Sequence, residues 1–194
     1  MNFFKIDKFD SADGLGIRVG LYISGCTHEC KGCHSSEYWD FESGEKFTEK
    51  HLADLQVALT KDYIEGLSIL GGDPLEIKNI HQVKYIIREC KRYYELTHDK
   101  PLNIWLWTGS IFENLCLLFV EDFEDSYATE YVDDLKYIFN NIDVLIDGPF
   151  IEEKKDLNLA FRGSSNQRLI DMRKTFENKK IILLDIKENM RRRG

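Results

Sequence analysis

The eight residues Leu67–Pro74, with the sequence LSILGGDP, indicate the fold most clearly. Their first half is a short apolar run of the kind found in strands that are covered on both faces. Two glycines, an aspartate and a proline follow, and these residues suit a tight turn from a strand into a helix. The passage from strand through turn to helix predicts an α/β fold.

The rest of the chain repeats this alternation. Short β-branched runs are separated by amphipathic segments, and this order predicts right-handed βαβ units and a mainly parallel sheet. The predicted strands are Ile17–Ser24, Leu67–Leu70, Ile104–Trp107, Val144–Ile146 and Ile181–Asp185. The predicted helices lie at about Thr48–Tyr63, Leu75–Thr97, Ile111–Phe119 and Glu130–Asn140.

Four of the five predicted strands end in small or polar residues. These endings are Ser24–Cys26, Gly71–Pro74, Thr108-Gly109 and Asp147–Pro149. In a parallel sheet the loops at the carboxyl ends of the strands meet at one edge and build the ligand site. We therefore expect these endings to face a single crevice.

Three of the five cysteines, Cys26, Cys30 and Cys33, share one loop that begins at such an ending. Thiolates with two or three residues between them can wrap one inorganic cluster, and iron–sulfur clusters use such ligands. Three ligands leave one iron of a [4Fe-4S] cube open to a substrate. Cys90 and Cys116 fall on apolar faces of predicted helices, and we expect no chemistry from them.

Zinc is the alternative for these thiols, with His28 or His34 as a fourth ligand. Structural zinc sites more often combine a CxxC pair with a second pair of ligands farther along the chain, and the sequence has no such second pair. The spacing favours an iron–sulfur cluster and leaves zinc as an alternative.

The turn Gly71–Pro74 allows two interpretations. Its glycines permit close approach of a ligand, and its carbonyls together with the Asp73 carboxylate could accept hydrogen bonds from an ammonium group. A tight turn in which Asp73 begins a helix explains the same residues without a ligand. The nearby thiol cluster favours the ligand.

The composition excludes several classes of protein. The 194 residues suffice for one domain, and 26 Lys and Arg against 34 Asp and Glu give a net charge of −8. That charge argues against broad binding to nucleic acid or to anionic membranes. No apolar run reaches the roughly 18 residues of a membrane span, and the first ten residues are too charged for an export signal. We expect a cytoplasmic protein.

Two stretches break the pattern of strands and helices. Glu121–Asp134 contains seven carboxylates, which predicts a solvated surface insertion. Residues 169–194 form a C-terminal extension that closes with Arg191-Arg-Arg-Gly194, and a basic terminus of this kind is usually a frayed end.

With these motifs in order, the chain resembles the radical S-adenosylmethionine superfamily. The CxxxCxxC of Cys26, Cys30 and Cys33 and the following Gly71–Pro74 match its two leading motifs. Within the superfamily the chain most resembles the activating proteins of anaerobic ribonucleoside-triphosphate reductases. The matching segments are Asp13–Arg18, Gly25–Cys33, Gly71–Leu75, Trp105–Gly109, Asp143–Gly148 and Arg162–Arg168.

The resemblance implies one radical S-adenosylmethionine domain over residues 1–194, with a core at about 13–168 and the fold of a partial, open (β/α) barrel. It implies that Cys26, Cys30 and Cys33 hold one [4Fe-4S] cluster, whose open iron is chelated by the amino and carboxylate groups of S-adenosylmethionine. The side chains and backbone of Gly71, Gly72, Asp73 and Pro74 would hold the amino group, and Thr108 and Gly109 would line the ribose or methionine side.

The resemblance also implies the reaction and its partners. An electron from a low-potential donor such as flavodoxin would cleave S-adenosylmethionine, and the 5′-deoxyadenosyl radical would take a hydrogen from a glycine of the large reductase subunit. The side chains of Arg162, Asn166, Gln167 and Arg168 suit a role in gripping that partner or closing the site, and a local turn with capping side chains is the alternative.

Three other functions stay open at this point. The chain could activate a different glycyl-radical enzyme of the pyruvate formate-lyase type, or be a small-molecule radical enzyme such as a deazaguanine synthase. From a different class, it could be a non-catalytic zinc-binding interaction module.

Overall fold

The structure, a computed structural model, describes residues 1–121 and 125–186, which form a seven-stranded sheet with helices packed on it. The strands are β1 (Asn2–Asp10), β2 (Ile17–Ile23), β3 (Glu45–Lys46), β4 (Ile64–Gly71), β5 (Asn103–Trp107), β6 (Val144–Asp147) and β7 (Arg168–Asp171). The helices are α1 (Glu49–Leu59), α2 (Ile80–Glu95), α3 (Phe112–Leu117), α4 (Ser126–Asn141) and α5 (Met172–Asn178).

The strand order is β3-β1-β2-β4-β5-β6-β7, with the four predicted parallel strands at the centre. β2, β4, β5 and β6 run parallel, whereas β1 and β7 are antiparallel to their inner neighbours. Because β3 is antiparallel to β1, it runs in the same direction as the central four. The predicted α/β class and the mostly parallel sheet are confirmed.

The two faces of the sheet have different covers. Residues such as Val19, Leu67 and Ile104 point to the face on which the helices pack and form the main core with them. A smaller cluster on other strand residues, centred on Trp105 and Ile146, is covered by Phe161, Leu184 and Ile186. The sheet therefore has apolar packing on both faces, with the larger core on the helical side.

Three strands, β1, β3 and β7, were missed, and one predicted strand is wrong. Ile181–Asp185 makes only an isolated bridge, between Leu183 and Ile170, in place of a regular strand. The central positions are already filled, so this segment reaches only the outer side of β7. β1 has charged residues at alternate and adjacent positions, and the short β7 is flanked by polar residues, so neither has the apolar run of a central strand.

The acid-rich stretch forms part of a packed helix. Residues 126–134 are the first half of α4, and the expectation of a solvated insertion is wrong for Val132 and Asp134, which are buried. The reason is the apolar periodicity that continues through Leu135 and Ile138 and packs α4 against α2. Residues 122–124 of this stretch, and the basic end of the C-terminal extension, lie outside the described residues.

The predicted helix Leu75–Thr97 begins later than expected, at Ile80. The preceding turn is extended because the buried Asn79 amide donates hydrogen bonds to the carbonyls of Ser24 and Asp73, each at 3.0 Å. Asn79 thereby fastens the end of β2 to the turn after β4. Among the helices of the described residues, none has both the length and the apolar character needed to cross a bilayer.

Candidate metal centre

The loop that carries the three cysteines leaves the carboxyl end of β2. The Gly25 amide donates to the Tyr38 carbonyl at 2.7 Å, and the Cys26 amide donates to the Trp39 carbonyl at 3.0 Å. Gly25 has a φ of 100°, and a Cβ there would lie 2.1 Å from the Phe41 ring. The backbone therefore closes the loop at its base, and this closure needs a glycine.

Cys26, Cys30 and Cys33 line one cleft, a cavity of about 140 Å³. The ends of the next two strands contribute Gly71 and Gly72 after β4 and Thr108 and Gly109 after β5. Parallel pairing places these ends side by side, as the positions of the small residues predict.

The donor set of the cleft consists of three thiols on one loop. A structural zinc ion takes four protein ligands in a tetrahedron, whereas three thiolates can hold an iron–sulfur cluster with one iron left open. Three thiols therefore fit an iron–sulfur cluster better than they fit zinc.

The environment of the thiols suits a positively charged metal group. Burial raises the pKa of Cys26 to about 12, although backbone amides of His28 and Glu29 donate to its sulfur and oppose the shift. Burial also raises the pKa of Cys30, against a hydrogen bond from the Phe150 amide. Such thiols ionise readily only beside a cation, and iron provides that charge.

Of the turn after β4, only the two glycines face the cleft. A Cβ on Gly72 would lie 2.4 Å from the Gly25 carbonyl oxygen, because the turn lies directly against the cysteine loop. Asp73 and Pro74 are absent from the lining of the cleft, and Asp73 instead borders an adjacent cavity of about 260 Å³.

The Asp73 carboxylate connects three segments. Its Oδ1 accepts from the Leu75 amide at 2.9 Å, and its Oδ2 accepts from the Thr108 hydroxyl and the Gly109 amide, both at 2.9 Å. The same Oδ2 lies 2.9 Å from Nε2 of His28, and this hydrogen bond raises the pKa of the imidazole against the opposing effect of burial. The pairing of His28 with Asp73 was missed, since no local pattern links residues 45 positions apart.

The polar side chains of the segment Arg162–Arg168 make different kinds of contact. Gln167 lines the cleft, and its amide group both donates to the Gly148 carbonyl at 3.1 Å and accepts from the Gly163 and Ser164 amides. Asn166 donates to the Pro149 carbonyl at 2.7 Å. These two contacts match a turn with capping side chains.

The two arginines of this segment lie outside the lining of the cleft. Arg168 forms ion pairs with Asp147 and Glu113, and these carboxylates raise the pKa of its guanidinium. Arg162 differs, because its buried Nε has no hydrogen-bond partner among the described residues.

Three aromatic side chains for which the sequence predicted no role also line the cleft. They are Trp39, Trp107 and Phe150. Trp107 donates from its ring nitrogen to the Phe161 carbonyl at 2.9 Å, which fixes the ring beside the cleft. The alternation of side chains in β5 could have indicated Trp107, since Trp107 ends the strand beside Thr108 and Gly109.

Another group of possible ligands lies between α2 and α4. His81, Glu130 and Asp134 bring their ligand atoms within 4.8 Å of one another. Lys84 also binds the buried Asp134 and already balances its charge. This group is an ion-pair network that joins the two helices.

Comparisons with known proteins agree with this geometry. A family model described as a 4Fe-4S single cluster domain matches residues 12–170. An anaerobic ribonucleoside-triphosphate reductase-activating protein of Vibrio cholerae is 35% identical over 172 residues, covering 86% of this chain and 96% of that protein. Proteins of the same description are 34% identical in Enterobacteria phage T4, over 87% of this chain and 93% of the relative, and 33% identical in Escherichia coli K12, over 86% and 96%.

Proposed function

The chain belongs to the family of anaerobic ribonucleoside-triphosphate reductase-activating proteins, and we propose that it cleaves S-adenosylmethionine reductively and generates a glycyl radical in such a reductase. The observation that carries this proposal is the cleft itself. Three cysteines line it together with the glycine-containing ends of three strands, β4, β5 and β6, while Cys90 and Cys116 lie elsewhere, on α2 and α3.

The three thiols form the cluster site. Cys26, Cys30 and Cys33 hold a [4Fe-4S] cluster with one iron left open, and the bound cluster supplies the electron that breaks the bond between sulfur and C5′ of S-adenosylmethionine. This chain provides orientation and exclusion of water. Water is excluded by the rings of Trp39, Trp107 and Phe150, because apolar walls keep a reactive radical away from solvent.

The strand ends hold the substrate. Gly71 and Gly72 let the backbone approach the methionine amino group, and Thr108 and Gly109 line the side of the ribose or methionine. Asp73 and Pro74 shape the turn from behind, since neither lines the cleft. Gln167 contacts the opposite wall through the Gly148 carbonyl.

In this proposal the reductase presents its glycine at the cysteine cleft. β3 and β7 end the sheet of the described residues without pairing with each other, which supports a partial, open (β/α) barrel. A glycine-bearing loop of a large partner subunit can approach the cleft at the carboxyl ends of the parallel strands. Arg162, which is partly exposed and does not line the cleft, is our candidate for contact with that subunit.

The remaining assignments concern the setting of the reaction. Residues 1–194 form one radical S-adenosylmethionine domain that works in the cytoplasm, and a low-potential donor such as flavodoxin supplies the electron. The net charge of −8 and the absence of a membrane-spanning helix among the described residues support this setting.

The decisive experiment is an anaerobic incubation of the reconstituted protein with S-adenosylmethionine, a reductant and the candidate reductase. We expect about four irons per chain, release of 5′-deoxyadenosine, and the electron paramagnetic resonance (EPR) signal of a glycyl radical. Deoxyadenosine without the glycyl radical would contradict the choice of partner and direct attention to pyruvate formate-lyase or a small molecule. A colourless protein that binds zinc would contradict the whole proposal.

A further inference from the structure

His28 lies between two of the cysteines in sequence but contacts a different strand end in space. Its Nε2 is 2.9 Å from Oδ2 of Asp73, and its ring lies so close to Gly109 that a Cβ there would be 2.4 Å from a ring carbon. The ring borders both the cysteine cleft and the adjacent cavity. His28 is therefore part of the wall between them.

The Asp73 carboxylate is directed at protein groups and away from the lining of the cysteine cleft. The residue is only 1% exposed, and its two oxygens contact four groups, on Leu75, Thr108, Gly109 and His28. Three of these contacts are made by Oδ2, so this oxygen is fully used, and the fourth is made by Oδ1. Because the carboxylate only accepts, the imidazole nitrogen is the donor in this contact.

Few contacts hold the part of the loop that lies between Cys26 and Cys33. The Thr27 amide and hydroxyl both donate to Glu76 at 2.6 Å, and Lys31 pairs with Glu152 on the surface. Glu29 adopts a φ of 44°, a backbone conformation that surrounding contacts must maintain. His28 adds a contact to a buried group, so its hydrogen bond is a strong restraint on the loop.

We propose that His28 is a positioning residue, which through Asp73 fixes the cysteine loop against the Gly71-Gly72 turn and the end of β5. The inference rests on the function proposed above. It assigns recognition of the ammonium group of S-adenosylmethionine to the backbone of Gly71 and Gly72 and gives the Asp73 carboxylate a purely organising role. The distance between the cluster and the bound methionine group then depends on His28.

The test compares His28→Ala, His28→Gln and His81→Ala. Glutamine can donate to Asp73 from a similar position, and His81 is a matched control because its ring also contacts a buried carboxylate, Asp134, far from the cleft lining. Each reconstituted variant is titrated with S-adenosylmethionine while the EPR spectrum of the reduced cluster is followed. KM and kcat for deoxyadenosine formation are measured in parallel.

We expect His28→Ala to keep near-normal iron content and to need about tenfold more S-adenosylmethionine for half-saturation, as for loss of one hydrogen bond to a charged group. KM should rise by a similar factor and kcat should change less. His28→Gln and His81→Ala should stay within about twofold of the wild type. In the metal-free protein, NMR should show a ring N–H of His28 that is protected from exchange, and His81→Ala should retain it.

Two outcomes would overturn the inference. One is a His28→Ala variant that binds S-adenosylmethionine as the wild type does, and the other is equal loss of iron in His28→Ala and His28→Gln, which would make His28 a structural residue without a positioning role. If the wild type itself neither responds to S-adenosylmethionine nor forms deoxyadenosine, the proposed function fails and this inference with it. If the wild type responds to S-adenosylmethionine and His28→Ala responds equally, the proposed function stands and only the role of His28 is contradicted.

Discussion

At the scale of single residues, close contacts in the folded protein explain why particular residue types occur at particular positions. Gly72 illustrates this: the residue lies so near Gly25 that no side chain fits between the turn and the cysteine loop. Arg18 is a fully buried cation whose guanidinium donates to Ser68, Asn103 and the Leu67 carbonyl. It joins β2, β4 and β5 near the ends of the strands that lie away from the cysteines, so the matching segment Asp13–Arg18 is structural.

The five cysteines should separate into two groups. Replacing Cys26, Cys30 or Cys33 singly with Ala should abolish stable cluster binding and all cleavage of S-adenosylmethionine, because each thiolate binds one iron. Replacing Cys90, which is 1% exposed, should leave iron content near normal and cost about 1 kcal/mol of stability. Iron analysis and thermal unfolding check both halves, and a requirement for Cys90 or Cys116 in iron binding would refute the assignment of three ligands.

Asp13 should make stability depend on pH. Burial raises its pKa to about 6, opposed by a hydrogen bond from Tyr22. The folded pKa exceeds the unfolded value of about 3.9, so the stabilising contribution of the protonated form is complete below about pH 4 and is lost as the pH rises through about 6. Asp13→Asn should therefore raise the free energy of unfolding by about 2 kcal/mol at pH 7.5, and the gain should disappear near pH 4.

Chemical denaturation of the wild type and of Asp13→Asn across this pH range measures the difference in the free energy of unfolding. Asp54→Asn, on the exposed face of α1, is the control for the exchange of a carboxylate for an amide on the surface. An equal gain for Asp13→Asn at pH 4 and pH 7.5 would contradict the burial of an ionisable carboxyl.

At the scale of elements, Arg168 connects β7, β6 and α3. Its guanidinium binds Asp147 at the end of β6 and Glu113 in α3, and Asp147 also accepts from the Phe112 amide at 2.9 Å. Arg168→Ala would leave the carboxylate of Asp147, which is 1% exposed, without its cation. We expect a loss of about 2 kcal/mol in the free energy of unfolding.

Denaturant unfolding measures this loss, and Arg173→Ala provides the comparison. Arg173 pairs with Glu177 on the surface of α5, where ion pairs contribute little. A wild-type stability for Arg168→Ala, combined with a reduced glycyl radical yield, would instead return Arg168 to the role in partner binding that its motif first suggested.

At the scale of the whole molecule, the cysteine cleft lies at the edge of the sheet where the parallel strands end. The loops that line the cleft follow β2, β4, β5 and β6, so all four central strands are needed to assemble it. The protein substrate of the proposed function has to reach these strand ends.

The contact with that substrate predicts a separation of two activities. Arg162→Ala should spare the cleavage of S-adenosylmethionine in the absence of the reductase but lower the glycyl radical yield in its presence, because Arg162 does not line the cleft. Deoxyadenosine and the glycyl radical are quantified in the same samples. A collapse of cluster content in this variant would show a structural role, and an unchanged radical yield would remove Arg162 from the interface.

Local patterns in the sequence determined the class of the fold and pointed to the proposed metal ligands. Apolar residues recur every second position in strands and every third or fourth position in helices, and glycines interrupt these runs. The periods follow from backbone geometry, so they can be recognised without knowing which distant residues are in contact. The spacing of Cys26, Cys30 and Cys33 is equally local, since one loop carries all three. The same reasoning failed for β1, β3, β7 and residues 181–185, because these outer segments lack the continuous apolar run of the central strands.

Only the tertiary structure shows which contacts each residue around the proposed cluster site makes. Asp73 turned out to organise three segments because Thr108 and His28 approach it from 35 and 45 positions away. Arg168 binds carboxylates 21 and 55 positions away, and Asn79 reaches back 55 positions to Ser24. Hydrogen bonds and ion pairs depend on distance in space, and only the packing of the folded sheet brings these groups within about 3 Å of one another.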